Sequence, residues 1–222
     1  SLNNLHEMSE IRLPKILRKN SSSLIYTSGT LGNPKGALLS HESILHNCEA
    51  AFELLKDFNF NNEKFLSFLP LSHSYERMAG LYFPLCINAE IYYCNKMENI
   101  LKDFNYIKPT IVTSVPRFYE NLYKKFNKNF SKSSFLKKYM FDLVTNPRDN
   151  EKKLVYFFIK KIFKKKIYNL FGGKLKTFIS GGAALDPKIN NFFRSLGILI
   201  LQGYGQTEAG PLISCNNIIK ND

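Results

Sequence analysis

Apolar runs short enough for buried strands alternate along the chain with stretches whose apolar positions recur every three to four residues. Residues 23–27 and 37–40 are two such runs around a Gly-rich turn, which predicts two strands joined by a phosphate-sized loop. From 41 to 57, Ile44, Leu45, Cys48, Ala51, Phe52 and Leu55 have helical period, with Ser40 and Ser43 available as caps. Residues 64–69 read as a buried strand stopped by Pro70. The pattern then gives helix at 82–87, strand at 90–94, helix at 99–106 and strand at 110–114. Two helices follow, at 116–129 with Pro in the first turn and at 135–144, before a break at Asn146-Pro147. Alternation resumes with strand at 176–180, helix at 186–195 with Pro187 just inside its start, and strand at 198–202. This order predicts an α/β fold of layered, mainly parallel sheets flanked by helices, with ligands gathering at the carboxyl ends of the strands.

One further helix is amphipathic and basic. Tyr156, Ile159, Phe163, Ile167 and Leu170 recur at helical spacing, while Lys160, Lys161, Lys164 and Lys165 take the other side. The charge is local: from Lys124 to Lys176, 15 Lys and one Arg face only Asp142, Asp149 and Glu151, which accounts for the whole net charge of +13. Such a helix most commonly packs its apolar stripe on its own domain. The sharper alternative is peripheral contact with a membrane, where anionic headgroups attract each Lys or Arg by about 1 kcal/mol. No nucleic acid is expected, because the aromatic residues lie on the apolar stripe and not among the lysines, which leaves no stacking platform.

Composition adds little: 44% hydrophobic and 22% charged residues are ordinary for a globular domain. The longest apolar stretches fall short of the roughly 20 residues needed to cross a bilayer. The first residues show no basic and apolar leader, so a cytoplasmic location is expected. Cys48, Cys86, Cys94 and Cys215 form no C-x-x-C pair, which argues against a zinc site or disulfide framework and predicts reduced, mostly buried thiols.

Chemistry concentrates in loops. The string YTSGTLGNPKG at 26–36 places three glycines, three hydroxyl side chains and Lys35 directly after a strand. Glycines let successive backbone N–H groups turn toward anionic oxygens, hydroxyls add donors, and the ammonium supplies a point charge. The spacing differs from the NTPase P-loop, which needs four residues between its glycines and a Gly-Lys-Ser/Thr ending. Read from composition alone, polyphosphate binding and a plain Gly-rich turn are about even.

The same string closely resembles the signature loop of the adenylate-forming (AMP-binding) superfamily, with Leu31 standing where a second Thr is usual. Further segments follow in that family's order. SGGAA at 180–184 resembles the loop bordering adenine, and GYGQTE at 203–208 resembles the second nucleotide loop. The stretches 69–78 (LPLSHSYERM) and 108–120 (KPTIVTSVPRFYE) resemble the long-chain fatty acyl-CoA synthetases. The resemblance implies that Thr27, Ser28, Gly29, Thr30, Gly32 and Lys35 hold phosphate, and that Gly181, Gly182, Ala183, Gly203 and Gly205 border the nucleotide. It also implies that Tyr204 stacks on adenine, Thr207 contacts the α-phosphate, Glu208 holds Mg²⁺, and His73 sits near the reacting carboxylate or thioester. A carboxylate suits Mg²⁺ as a hard oxygen ligand. Residue by residue, a tight turn, a solvated Glu or a structural His remains the plain alternative. His41 and His46 are assigned no catalytic part.

The implied reaction joins a long-chain fatty acid to CoA through an acyl-adenylate, with ATP, Mg²⁺ and CoA as the small-molecule requirements. The chain matches only the middle of such a ligase: a partial AMP-binding domain over 1–222 with a Lys-rich segment at about 124–176. The ribose-binding aspartate, hinge and C-terminal lid domain of the family are not in it, so the isolated chain is expected to be a poor catalyst and marginally soluble. Two other readings stay open: adenylation of an aryl or amino acid, and a degenerate protein that binds nucleotide or membrane without turnover.

Overall fold

The computed structural model describes residues 14–27, 33–94, 97–145 and 153–216. Strand β1 (Ser21–Thr27) and strand β2 (Lys35–Ser40) form an antiparallel two-stranded hairpin. Its turn is the Gly-rich segment, of which residues 28–32 lie outside the described residues. Helix α1 (His41–Leu55) starts where Ser40, in extended conformation, accepts a hydrogen bond from the Ser43 N–H, as expected for an N-cap.

The remaining strands make one six-stranded sheet. They are β3 (Lys64–Ser67), β4 (Glu90–Tyr93), β5 (Ile111–Ser114), β6 (Thr177–Ser180), β7 (Ile200–Gly205) and β8 (Leu212–Cys215). The order is β4-β3-β5-β6-β7-β8, parallel throughout except for the antiparallel pair β7–β8. The α/β expectation is met. Helices α4 (Ile100–Ile107), α5 (Pro116–Ser131), α6 (Phe135–Thr145), α7 (Lys153–Leu170) and α8 (Pro187–Ser195) fill the crossovers. Their starts and ends lie within two residues of those read from the pattern, apart from α7, for which no bounds were set. The break at Asn146-Pro147 lies outside the described residues.

Adjacent apolar residues in each strand go to opposite faces because side chains alternate along extended backbone. Leu66, Val112, Phe178 and Ile200 join Phe104, Phe118, Tyr119, Phe171 and Phe193 in the core under α4, α5, α7 and α8. Phe65, Ile111, Ile179 and Leu201 join Cys48, Ala51, Leu55, Met78 and Phe83 in the second core under α1. A sheet buried on both faces must be apolar at successive positions, which is why these strands read as continuous runs. At their amino ends the sheet is closed by the ion pair of Lys176 with the buried Glu63. The carboxyl ends stay open.

Three expectations are corrected. The helix read at 82–87 begins much earlier, as α2 (Ser74–Arg77), continues through a π-helical turn (Met78–Tyr82) and ends as α3 (Phe83–Cys86). The lysines of α7 are not all on its outer side: Lys164 is half-buried with its stem against Gly197, while Phe158 and Ile162 are exposed at 58% and 61%. Among the four free thiols, Cys48 is buried, Cys86 exposed, and Cys94 and Cys215 half-buried.

Candidate active site

At the open carboxyl ends of the parallel strands lies a cavity of about 540 Å³. One wall is apolar, from Ala51, Leu54 and Leu55 of α1 with Met78, Ala79 and Phe83 of the π-turn and α3. The opposite wall is polar backbone from the loop after β6 and from the end of β7 through Thr207. His73, Ser74, Tyr75 and Glu76 stand between the two.

Of the residues singled out in the sequence, His73, Gly182, Gly203, Tyr204, Gly205 and Thr207 line this one cavity. They come from segments as far apart as 73 and 207, which the parallel register of β5, β6 and β7 brings to a common level. Gly181 lies beneath the rim, where a Cβ would meet the Tyr75 ring at 2.6 Å; only glycine lets that ring pass so close to the β6 loop. Ala183 follows in the same loop. Tyr204 keeps 65% of its surface exposed at the mouth, a ring face available to a flat base. Thr207 and Glu208 share a single 3₁₀ turn, Thr207–Ala209, with Glu208 exposed.

Thr27 and Lys35 sit on the hairpin, outside the cavity wall. They are register partners, and Thr27 Oγ1 donates to the Lys35 carbonyl over 3.3 Å, pinning the two ends of the Gly-rich loop. Lys35 is exposed, and β2 packs on the Thr207–Ala209 turn, which brings the hairpin up to the 203–208 loop. Ser28, Gly29, Thr30 and Gly32 lie outside the described residues.

Several residues that shape the site were not singled out in the sequence. Asn47, buried on α1, donates from Nδ2 to the Ala209 carbonyl at 3.0 Å and accepts the Leu212 N–H on Oδ1, so it fixes the loop that carries Thr207 and Glu208. Ser74 and Thr207 hydroxyls are 2.9 Å apart, a direct link between the 69–78 segment and the 203–208 loop. Tyr75 donates its hydroxyl to the Ile179 carbonyl at 2.9 Å. Glu76 is fully buried and accepts from Ser67 Oγ at 2.6 Å and Thr113 Oγ1 at 2.8 Å. Burial pushes its carboxyl up to about 7 against the lowering pull of those two hydroxyls and of the Leu69 backbone N–H. Only the spacing of Ser67, Thr113 and Glu76 in three dimensions reveals them; no periodicity does.

Among the described residues no group of three His, Cys, Asp or Glu side chains gathers in a metal-binding cluster. Glu208 stands exposed in the turn beside Thr207, and a lone carboxylate of that kind is chemically compatible with a divalent ion that completes its shell with phosphate and water.

A parallel sheet whose carboxyl ends open on a cleft walled by glycine loops and an exposed aromatic defines an α/β nucleotide-binding class of protein. The chain belongs to the AMP-binding enzyme family, whose model matches residues 6–222. It is 32% identical to long chain acyl-CoA synthetase 3 of Arabidopsis thaliana, over 96% of this chain and 34% of that protein. It is 33% identical to the human long-chain-fatty-acid–CoA ligase ACSBG2, over 88% of this chain and 33% of the relative. The chain therefore spans about a third of the curated relatives it matches. In fold it superposes on ATP-bound MatB from Rhodopseudomonas palustris with a TM-score of 0.63 at 22% identity, covering 92% of this chain and 32% of MatB. It superposes equally, at 26% identity, on the adenylation domain of a carboxylate reductase from Mycobacterium chelonae, with a TM-score of 0.63 over 89% of this chain and 28% of that one.

Proposed function

We propose that this chain is the nucleotide- and acyl-handling part of a longer ligase that activates a long-chain fatty acid with ATP and passes it to CoA. One observation carries the reading: a single cavity joins the glycine loops around Tyr204 and Thr207 to an apolar wall from α1 and α3, with His73 and Ser74 at the junction. A substrate with a nucleotide at one end and a hydrocarbon at the other has its reacting carbon there. The names of the relatives, long-chain acyl-CoA synthetases, point to the same acid class.

In the first step a carboxylate oxygen bonds to the α-phosphorus of ATP, the bond to the β-phosphate oxygen breaks, and pyrophosphate leaves. In the second the CoA sulfur bonds to the acyl carbon, the bond to the AMP oxygen breaks, and the thiol proton passes to solvent. The protein's task in the first step is to bring one anion in line with another. Thr27, Ser28, Thr30 and Lys35 supply donors and a positive charge toward the β- and γ-phosphates, and Thr207 holds the α-phosphate. Gly181, Gly182, Ala183, Gly203 and Gly205 let the backbone approach adenine, on which Tyr204 stacks. His73 faces the acyl carboxylate or thioester. Mg²⁺ held by Glu208 would offset charge on the phosphates. Because the chain spans only about a third of its relatives, the complete reaction is assigned to the longer ligase.

The test is pyrophosphate release by that longer protein with ATP, Mg²⁺ and palmitate. Glu208→Ala and Lys35→Ala are each expected to slow it about 100-fold, the usual loss for one preorganised electrostatic group. Release with an aryl or amino acid but not palmitate would replace the acid class, and no release with any acid would leave nucleotide binding without turnover.

A second, compatible reading concerns α7. Its exposed Phe158 and Ile162 lie beside Lys161 and Lys165, the arrangement suited to the interface of an anionic bilayer, and no described helix is long and apolar enough to cross one. Sedimentation with phosphatidylserine-containing vesicles, abolished by Lys161→Glu with Lys165→Glu and not seen with pure phosphatidylcholine, is the expected result. Equal binding to both vesicles, or to neither, refutes it.

A further inference from the structure

Residues 74 to 76 each reach a different part of the site. Ser74 meets the Thr207 hydroxyl, Tyr75 runs under Gly181 to the β6 carbonyl of Ile179, and Glu76 turns inward to the sheet. The two oxygens of Glu76 are divided between neighbouring strands: Oε1 takes the hydroxyl of Ser67 at the end of β3, and Oε2 that of Thr113 in β5. Nothing else on α2 contacts both strands through its side chain among the hydrogen bonds of this segment. The space for the carboxyl is made one turn later, because a Cβ at Gly80 would stand 2.4 Å from Oε1. That close passage occurs within the π-turn Met78–Tyr82, an irregularity that arises where a helix is displaced by one residue and that recurs at functional sites.

A fully buried carboxyl is an expensive way to hold a helix on a sheet. An apolar side chain of the same volume is commonly as stable or more so. An acid with a hydroxyl from each strand supplies something that apolar packing does not, namely a fixed azimuth for the short helix and for the two residues before it.

We propose that Glu76 is a positioning residue for adenylation: its two-strand clamp sets the turn that presents His73 and Ser74 to the Thr207 loop, where the acyl carboxylate meets the α-phosphate. The proposal rests on the ligase reading above. Glu76 acts through Ser74, and through the path of the backbone at His73. Both of its protonation states can be satisfied, since either hydroxyl can turn to accept when the carboxyl holds a proton. Glutamine keeps the same pair of contacts, with its amide donating to one hydroxyl and its carbonyl accepting from the other.

The test uses the longer ligase and four variants. Glu76→Gln is expected to retain kcat within about three-fold, and Glu76→Ala to lower kcat about 100-fold, the cost of a misplaced reacting group, with KM for ATP little changed. Ser67→Ala and Thr113→Val, which leave the carboxyl in place but free one oxygen each, are expected to fall between them and cover the case in which Glu76→Ala fails to fold. Wild-type kcat in folded Glu76→Ala, or losses in all variants that follow melting temperature alone, overturns the proposal. Hydrogen exchange on the same proteins keeps the answer independent of turnover. Faster exchange confined to 73–80 and 203–209 in Ser67→Ala, Thr113→Val and Glu76→Ala supports the clamp, and unchanged protection there sinks it. If wild type releases no pyrophosphate with any acid, the ligase reading fails, and exchange alone decides whether Glu76 holds the turn.

Discussion

The β1–β2 hairpin and the six-stranded sheet contribute to one candidate nucleotide site but are held by very different amounts of burial. Among the described residues of the hairpin only Ile25 and Leu39 are buried, against Ile44 of α1, while Leu24, Tyr26 and Leu38 on its other face are 53%, 69% and 65% exposed. A two-stranded ribbon has little stability of its own. In the sheet, Ile111, Val112, Phe178 and Leu201 are fully enclosed, and Phe178 alone meets the rings of Phe104, Phe118, Tyr119 and Phe171. The longest sequence signature thus flanks the less buried strands, and the shorter glycine motifs follow the more enclosed ones. Loss of one enclosed side chain should therefore cost more in the sheet than in the hairpin.

Mutations should separate the two regions in a graded way. Phe178→Ala is expected to cost about 4 kcal/mol in urea unfolding, because a fully enclosed ring is lost together with its ring contacts. The next effect is one of pH. Glu76 is raised in the folded state to about 7 from an ordinary 4.5, so the folded protein holds its proton more tightly. The resulting stability is fully present below about 4.5 and is lost as pH rises through about 7, amounting to about 3 kcal/mol. Its titratable neighbour is Tyr75 on its own turn, and it accepts from the hydroxyls of Ser67 and Thr113 and from the Leu69 backbone N–H. Comparing urea midpoints at pH 5 and pH 8 for wild type and Glu76→Gln should show the loss in the first and its absence in the second. Third, Ile25→Ala is expected to cost about 2 kcal/mol and to speed amide exchange in β1 and β2 while β5 and β6 stay protected. A loss as large as that of Phe178→Ala would break the comparison. Smallest of all, Leu38→Ser should change stability by under about 0.5 kcal/mol and reduce self-association, since Leu38 faces solvent.

The alternation of strands and helices was legible because the sheet is buried on both faces, so each strand appears as an uninterrupted apolar run. The glycine loops were legible because their glycines stand at fixed offsets at strand ends, where a Cβ at Gly181 or Gly205 would meet Tyr75 or Pro211. Asn47 was not, since its partners are the backbone at Ala209 and Leu212, more than 160 residues on. Nor was the clamp on Glu76, whose hydroxyls come from strands 9 and 37 residues away in sequence. The helix read at 82–87 was placed too late because the glycine at 80 looks like an interruption, while the π-turn absorbs it and lets one helical path run from Ser74 to Cys86. In α7 the stripe around Phe163 and Ile167 was correct in direction, but apolar residues occur on both sides, and only packing decides which side is covered.

The crossover from β5 to β6 carries α5, α6 and α7 between two strands that remain in register from Ile111 opposite Thr177 to Ser114 opposite Ser180. Joining the ends of a longer flexible connection costs only about 0.6 kcal/mol per doubling of its length. A connection lengthened between α6 and α7 should therefore leave the strand ends that frame the cavity little changed, whereas α5, α6 and α7 themselves carry buried core residues and have to stay.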